Sequence, residues 1–290
     1  MHLSFIQTIF LGFLQGITEL FPISSLGHAV LVPAWIGGSF GKFVSENNDS
    51  YLSITVAMHL ASAIALFIIF RRRWIEFIYS AVRQLAKKPL TQAQLYAARV
   101  FWLVVIATIP VGILGAVFQK KLTHLFGDPK FTAIFLTING VILVLAERVS
   151  RSRKNLAPVN ENVEITEHIS NSHAAIIGLG QSAALFAGIS RFGISMSAGL
   201  VRGLNHRVAS DFAFLLSLPV ILAAAVLKIP HLIGHSANVS LGPILAGSFV
   251  SFVATYVSIT FLVKWFKTKT LYPFAIYCLL FGIASIIKFH

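Results

Sequence analysis

A carboxylate, two adjacent hydroxyls and an imidazole fall within ten residues of one another, at Glu19, Ser24, Ser25 and His28. Gln15 stands four residues before Glu19, a spacing that places both side chains on one face of a helix. A buried carboxylate there could hold a hard cation or act as a base. Its bland alternatives are to cap a half-helix or to pair with an arginine. Ser25 and His28 follow on a loop after Pro22 that also contains Gly27. Hydroxyl, imidazole and carboxylate together are what nucleophilic attack on phosphorus or an acyl carbon uses. Two serines alone would say little, since small hydroxyls also pack helices and bond to backbone.

A second group lies far along the chain, at Ser190, Arg191 and Ser195, inside another apolar stretch. A guanidinium deep in apolar surroundings needs an anion, and its planar fork matches phosphate oxygens. The structural alternative is an internal Arg191–Glu19 ion pair, which a substrate could later displace in part.

Both groups belong to one repeated element. At a constant offset of 166 residues, Gly12 meets Gly178, Gln15 meets Gln181, Ile23 meets Ile189, Ser24 meets Ser190 and Gly27 meets Gly193. The same offset sets Leu185 against Glu19, Arg191 against Ser25 and Ile194 against His28. One copy therefore reads as reactive and the other as anion-binding, with Ser24 and Ser190 expected to be near neighbours in space.

The elements that position these residues are membrane helices. The chain has 290 residues, 56% hydrophobic and 11% charged, with mean hydropathy +0.81. This composition excludes an ordinary soluble domain. The net charge of +13 sits in loops beside apolar runs, which fits membrane orientation and anionic headgroups rather than nucleic acid. The single Cys278 excludes an intrachain disulfide and a cysteine metal cluster. The first residues lack a basic n-region and read as mature sequence rather than a signal peptide.

Six apolar runs, at about 51–70, 100–118, 131–147, 210–228, 241–263 and 271–289, are expected to span the membrane. Two more, about 3–36 and 173–203, are broken by the repeated motif and read as re-entrant hairpins of two half-helices. Arg71 to Arg73, Arg83, Lys87, Lys88 and Arg99 flank one loop expected in the cytoplasm. Arg148, Arg151, Arg153 and Lys154 begin another, and Lys264, Lys267 and Lys269 a third. The loops around 37–50 and 229–240 then lie outside, with Lys120, Lys121 and Lys130 as a minor exception. The hairpins enter from opposite sides, the pattern of an inverted repeat meeting at the midplane. The expected fold is thus an all-α polytopic membrane protein, a single domain over 1–290. Residues 1–150 and 173–290 form the two repeats, and 151–172, with Asn155, Pro158, Asn160, Glu161 and Glu164, form a polar cytoplasmic linker. Elsewhere, His59 would line the cavity or bond a carbonyl, Asp211 would cap a helix start, and Pro110 and Pro219 would kink their helices.

In these motifs the chain resembles the bacterial undecaprenyl-diphosphate phosphatase family of the bacitracin-resistance type, over nearly its whole length. That family has an (E/Q)-x-x-x-E element leading into P-x-S-S-x-G-H, and a later P-G-x-S-R-x-G loop. Gln15 to Glu19, Pro22 to His28 and Ala187 to Gly193 match them, and Tyr272 to Tyr277 is similar to the family's ending. Gln15, Ala187, Phe192, Leu26 and Ser195 depart from the commoner residues. Gln15 weakens a two-carboxylate metal site, and Phe192 beside Arg191 could narrow the cavity or alter substrate choice.

The resemblance implies hydrolysis of undecaprenyl diphosphate at the outer face of the bacterial cytoplasmic membrane, aided by a divalent cation, magnesium or calcium. This recycles the lipid carrier for cell-wall synthesis. It implies Glu19, Ser25, His28 and Arg191 as catalytic residues. Gln15, Ser24, Gly27, Ser190, Gly193 and Ser195 are then substrate-binding, and Glu19 and Gln15 hold the cation. Ser25 would be the nucleophile, with His28 as its general base or as the acid for the leaving group, and direct attack by a water activated by Glu19 or His28 is equally compatible. The expected partners are the polyprenyl diphosphate lipid and the bilayer, with a homodimer as a candidate assembly and no nucleic acid. The lipid phosphatases with K-x6-R-P motifs fail on spacing, because they would need histidine where Ser197 stands. A polyprenyl-phosphate flippase or other transporter shares the inverted repeat but has no need of a nucleophile.

Overall fold

The computed structural model describes residues 3–45, 49–123, 127–152, 165, 169–235 and 241–290, and these form helices joined by short turns, with no strand among them. The first hairpin is α1 (Phe5–Thr18) and α2 (Ser25–Ile36), followed by the short α3 (Gly38–Ser45) and the long α4 (Asp49–Leu85), α5 (Gln92–Thr123) and α6 (Pro129–Ser152). The second hairpin is α7 (Asn171–Gln181), a 3-10 turn at Ser182–Leu185 and α8 (Arg191–Val201). It is followed by α9 (His206–His235), α10 (Leu241–Trp265) and α11 (Tyr272–Lys288). Most of the predicted linker, residues 153–164 and 166–168, lies outside the described residues, as do Glu46 and 236–240.

The hairpin helices are short because their sequence starts and stops them. Serines 166 residues apart cap all four. Ser4 forms a capping box with Gln7 on α1, Ser24 accepts from Gly27 on α2, Ser170 from His173 on α7 and Ser190 from Gly193 on α8. At 14, 12, 11 and 11 residues, they rise only roughly 16 to 21 Å, well short of a hydrocarbon core of about 30 Å. By contrast α4, α5, α6, α9 and α10 are long and apolar enough to cross a membrane, and the chain is a multi-pass membrane protein. The sixth expected span, α11, has 17 residues and packs lengthwise against α6. Arg71 to Arg73, expected beside a loop, lie within α4, which continues apolar and basic residues alike to Leu85.

Each hairpin leans on the other half of the chain: α1 packs along α10, and α7 along α5. Lipid tails are as apolar as leucine, so such packing rests on close approach rather than on exclusion of water. Glycine allows it. A methyl group at Gly12 would strike the Gly247 carbonyl, and one at Gly178 would strike the Ala107 carbonyl. The repeated glycines thus bring the backbones of α1 and α10, and of α7 and α5, into contact. Phe192, Phe212, Phe214 and Phe266, all buried, fill the interior below the loops.

Candidate functional site

The two loops hold each other. Ser24 has φ +69 and ψ 102, a backbone conformation uncommon for a residue with a side chain. There its Oγ accepts both from its own helix, Gly27 N at 3.1 Å, and from the opposite loop, Gly188 N at 3.2 Å. Ser190 reciprocates, accepting from Gly193 N at 3.1 Å and donating to the Phe21 carbonyl at 3.2 Å. Between them, Asn139 of α6 donates to the Pro22 carbonyl at 2.9 Å and accepts from Ser190 N at 3.0 Å. Gly27 and Gly193 serve this clasp by being small, since a Cβ at either would come within 3.1 Å of Gly188 or Pro22 across the interface. The hydroxyls of Ser24 and Ser190 are thereby engaged as caps and ties. Asn139, a lone amide in the apolar run of α6, carried no motif to mark it in the sequence.

Beside this clasp the first loop presents a compact polar set. Glu19 ends α1 and is 8% exposed. Its Oε2 accepts from Gln15 Nε2 and from Ser25 Oγ, both at 2.6 Å. His59 of α4 brings Nε2 to 3.4 Å from the same oxygen, with Nδ1 2.8 Å from the Thr55 carbonyl. The carbonyl alternative read for His59 therefore holds, and the same ring also meets Glu19. The short Ser25–Glu19 bond is charge-assisted and aims the hydroxyl proton at a carboxylate. Gln15 Oε1 is buried with no partner.

Arg191 opens α8, at the position equivalent to Ser25. Its Nη1 is buried and unpartnered, and Glu19 is the acid whose charge acts on it. No Arg191–Glu19 ion pair within 4.0 Å forms among the described residues, so the guanidinium is not spent on that carboxylate. Ser195, one turn along α8, also keeps a buried hydroxyl without a partner. Ser25 and Arg191 each stand at the first turn of a helix, a position that favours a negative charge.

His28 is turned elsewhere. Its Nδ1 lies 2.8 Å from the Ser24 carbonyl and its Nε2 2.6 Å from the Tyr277 hydroxyl, with the two rings stacked at 5.5 Å. A carbonyl only accepts, so Nδ1 donates and Nε2 accepts from Tyr277. The histidine expected as the base of Ser25 instead ties the loop to α11, and Glu19 is the acceptor of the Ser25 proton. Phe192 does not narrow the cavity either: it is fully buried against Phe214 and Phe266, at 4.5 and 5.7 Å. Asp211 does not cap α9. Asn205 does so through Val208 N, and Asp211 lies 3.8 Å from Arg73.

Among the described residues no three His, Cys, Asp or Glu side chains gather as a metal cluster. The oxygen donors that could take a hard cation are Glu19, Gln15 Oε1 and Ser25 Oγ. One carboxylate with neutral oxygens suits a magnesium or calcium ion that is also held by substrate phosphates.

These features define a polytopic membrane protein with a hydroxyl, a carboxylate and a guanidinium on the two loops where its short hairpins meet. The chain belongs to the bacitracin resistance protein BacA family, whose model matches residues 8–284. It is 39% identical to undecaprenyl-diphosphatase 2 of Frankia alni, an alignment that covers 100% of this chain and 99% of that protein. It is 40% identical to undecaprenyl-diphosphatase of Mycolicibacterium paratuberculosis, over 99% of this chain and 97% of the relative. Undecaprenyl-diphosphatase 2 of Burkholderia orbicola is 39% identical, over 95% and 93% of the two chains.

Proposed function

We propose that this chain hydrolyses undecaprenyl diphosphate to undecaprenyl phosphate and inorganic phosphate, at the outer face of the bacterial cytoplasmic membrane. The observation that carries this reading is the Ser25 hydroxyl bonded at 2.6 Å to Glu19, beside an arginine whose Nη1 has no partner. The names of the relatives support it. Arg191, Ser195 and the first-turn amides of α2 and α8 bind the diphosphate, whose charge their donors match. Ser25 Oγ passes its proton to Glu19 and bonds to the terminal phosphorus; the bond from that phosphorus to the bridging oxygen breaks, and undecaprenyl phosphate leaves. After Glu19 has released that proton to solvent, it takes another from a water that attacks the phosphoserine, and passes it to Ser25 Oγ as the phosphorus–Oγ bond breaks, freeing inorganic phosphate and restoring the Ser25 hydroxyl. A divalent cation bound by Glu19, Gln15 Oε1 and Ser25 would supply positive charge against the diphosphate oxygens.

Direct attack by a water activated by Glu19 is the competing route, and full phosphate release by Ser25→Ala would select it. A flippase would need its hairpins to part as opposed bodies, and the Ser24, Ser190 and Asn139 ties oppose that motion. Phosphate release from undecaprenyl diphosphate by purified protein, with and without chelator, tests the proposal. Release by wild type and its loss in Arg191→Ala are expected, whereas lipid translocation without release would replace it with a transporter.

A further inference from the structure

His59 lies on α4, outside both repeated loops, and the reaction written above gives it no part. Its ring is nonetheless fixed at one end and meets Glu19 at the other. Nδ1 donates to the Thr55 carbonyl one turn back, at 2.8 Å, which fixes the rotation of the imidazole. Nε2 then lies 3.4 Å from Glu19 Oε2, an ion-pair contact in which Nε2 donates when the ring carries a proton on both nitrogens, and the side chain is 19% exposed. Three groups converge on that one oxygen, His59 Nε2, Gln15 Nε2 and Ser25 Oγ. Oε1 forms no hydrogen bond with the described residues.

The three are not equivalent. Gln15 rides on the same short helix as Glu19 and moves with it. Ser25 gives up its bond when it reacts. His59 alone comes from a separate membrane-spanning helix and is not consumed.

Resting on the proposed reaction, we infer that His59 is a positioning residue that fixes the rotation of the Glu19 carboxylate. It keeps Oε2 facing Ser25 and leaves Oε1 to the cation and substrate. Without it, the carboxylate can turn about its terminal bond once Ser25 reacts, and its two oxygens exchange roles. Groups that orient a ligand or base in this way act on chemistry more than on substrate affinity.

The test compares His59→Leu and His59→Gln in the full-length protein, by steady-state phosphate release and by calorimetric titration with Ca2+ alone. His59→Leu is expected to lower kcat about 10- to 100-fold with KM nearly unchanged, and to weaken Ca2+ binding about tenfold. His59→Gln, whose amide can donate across the same gap, is expected to recover most of both. If His59→Leu matches wild type in both readouts, the inference is overturned and the reaction stands. It is equally overturned if His59→Gln is as impaired as His59→Leu while both remain monodisperse, since the ring then acts by packing. Wild type whose Ca2+ binding depends on His59 but which releases no phosphate removes the reaction and keeps the His59–Glu19 linkage.

Discussion

Ser24 and Ser190, 166 residues apart, cap matching helices and reach into each other's loops, while the residues beside them share almost nothing chemically. After Ser24 comes Ser25, bonded to Glu19; after Ser190 comes Arg191, with an unpartnered Nη1. The same contrast runs through the leading helices. Gly12 and Gly178 seat them alike on a neighbouring backbone. Gln15, however, donates to Glu19, whereas Gln181 has Leu185 four residues on and both amide atoms buried without a partner. A frame built twice therefore carries reactive chemistry once. What differs between the hairpins locates the reaction, and what they share only holds it.

The largest expected effect separates Glu19 from its counterpart. Glu19→Gln keeps the shape but removes the proton acceptor, and kcat should fall about 10³-fold. Leu185→Ala, at the same offset, should leave kcat within a few-fold. Equal losses in the two variants would break the division between the hairpins.

Next come the shared glycines. Gly12→Ala and Gly178→Ala each drive a methyl group into a backbone carbonyl, and each should destabilise the fold by roughly 3 kcal/mol. Thermal unfolding in detergent reads this out, and the two losses should be similar; a large difference would show that the frame is not shared. Asn139→Ala should cost about 2 kcal/mol by leaving the Pro22 carbonyl and the Ser190 amide unpaired across both loops. The same unfolding assay measures it.

The smallest effect belongs to Gln181. Gln181→Leu removes two buried polar atoms that have no partner, and stability should be unchanged or raised by about 1 kcal/mol, with phosphate release intact. If that variant were inactive, the second hairpin would have to carry chemistry as well as the anion.

Much of the frame was legible in the sequence. The 166-residue offset, the glycines and the interrupted apolar runs gave two hairpins, and hydropathy gave the long helices. The sequence also brought Gln15, Glu19 and Ser25 together, because a four-residue helical spacing and a short loop leave them little freedom. What escaped it depends on side-chain direction across helices distant in sequence. His28 stands three residues from Ser25, and proximity suggested a pair, but the first turn of α2 points its ring to Tyr277, 249 residues away. Phe192 adjoins Arg191, yet successive helical residues diverge by about 100°, so Phe192 enters the core while Arg191 points elsewhere. Asn139 sits on another span, as does His59, whose carbonyl contact the sequence anticipated but whose meeting with Glu19 it did not; no local pattern records which loop a membrane helix will meet.

The central claim is a division of labour, and the kinetics of phosphate release from undecaprenyl diphosphate by Ser25→Ala and Arg191→Lys, measured side by side, test it most directly. Ser25→Ala should lose kcat by about 10²- to 10³-fold with KM little changed, since the nucleophile acts only as the bond forms. Arg191→Lys should instead raise KM at least about tenfold and spare kcat by comparison, since a lysine keeps the charge but not the fork that grips phosphate. The opposite split, or the same loss in the same parameter for both variants, would contradict the account.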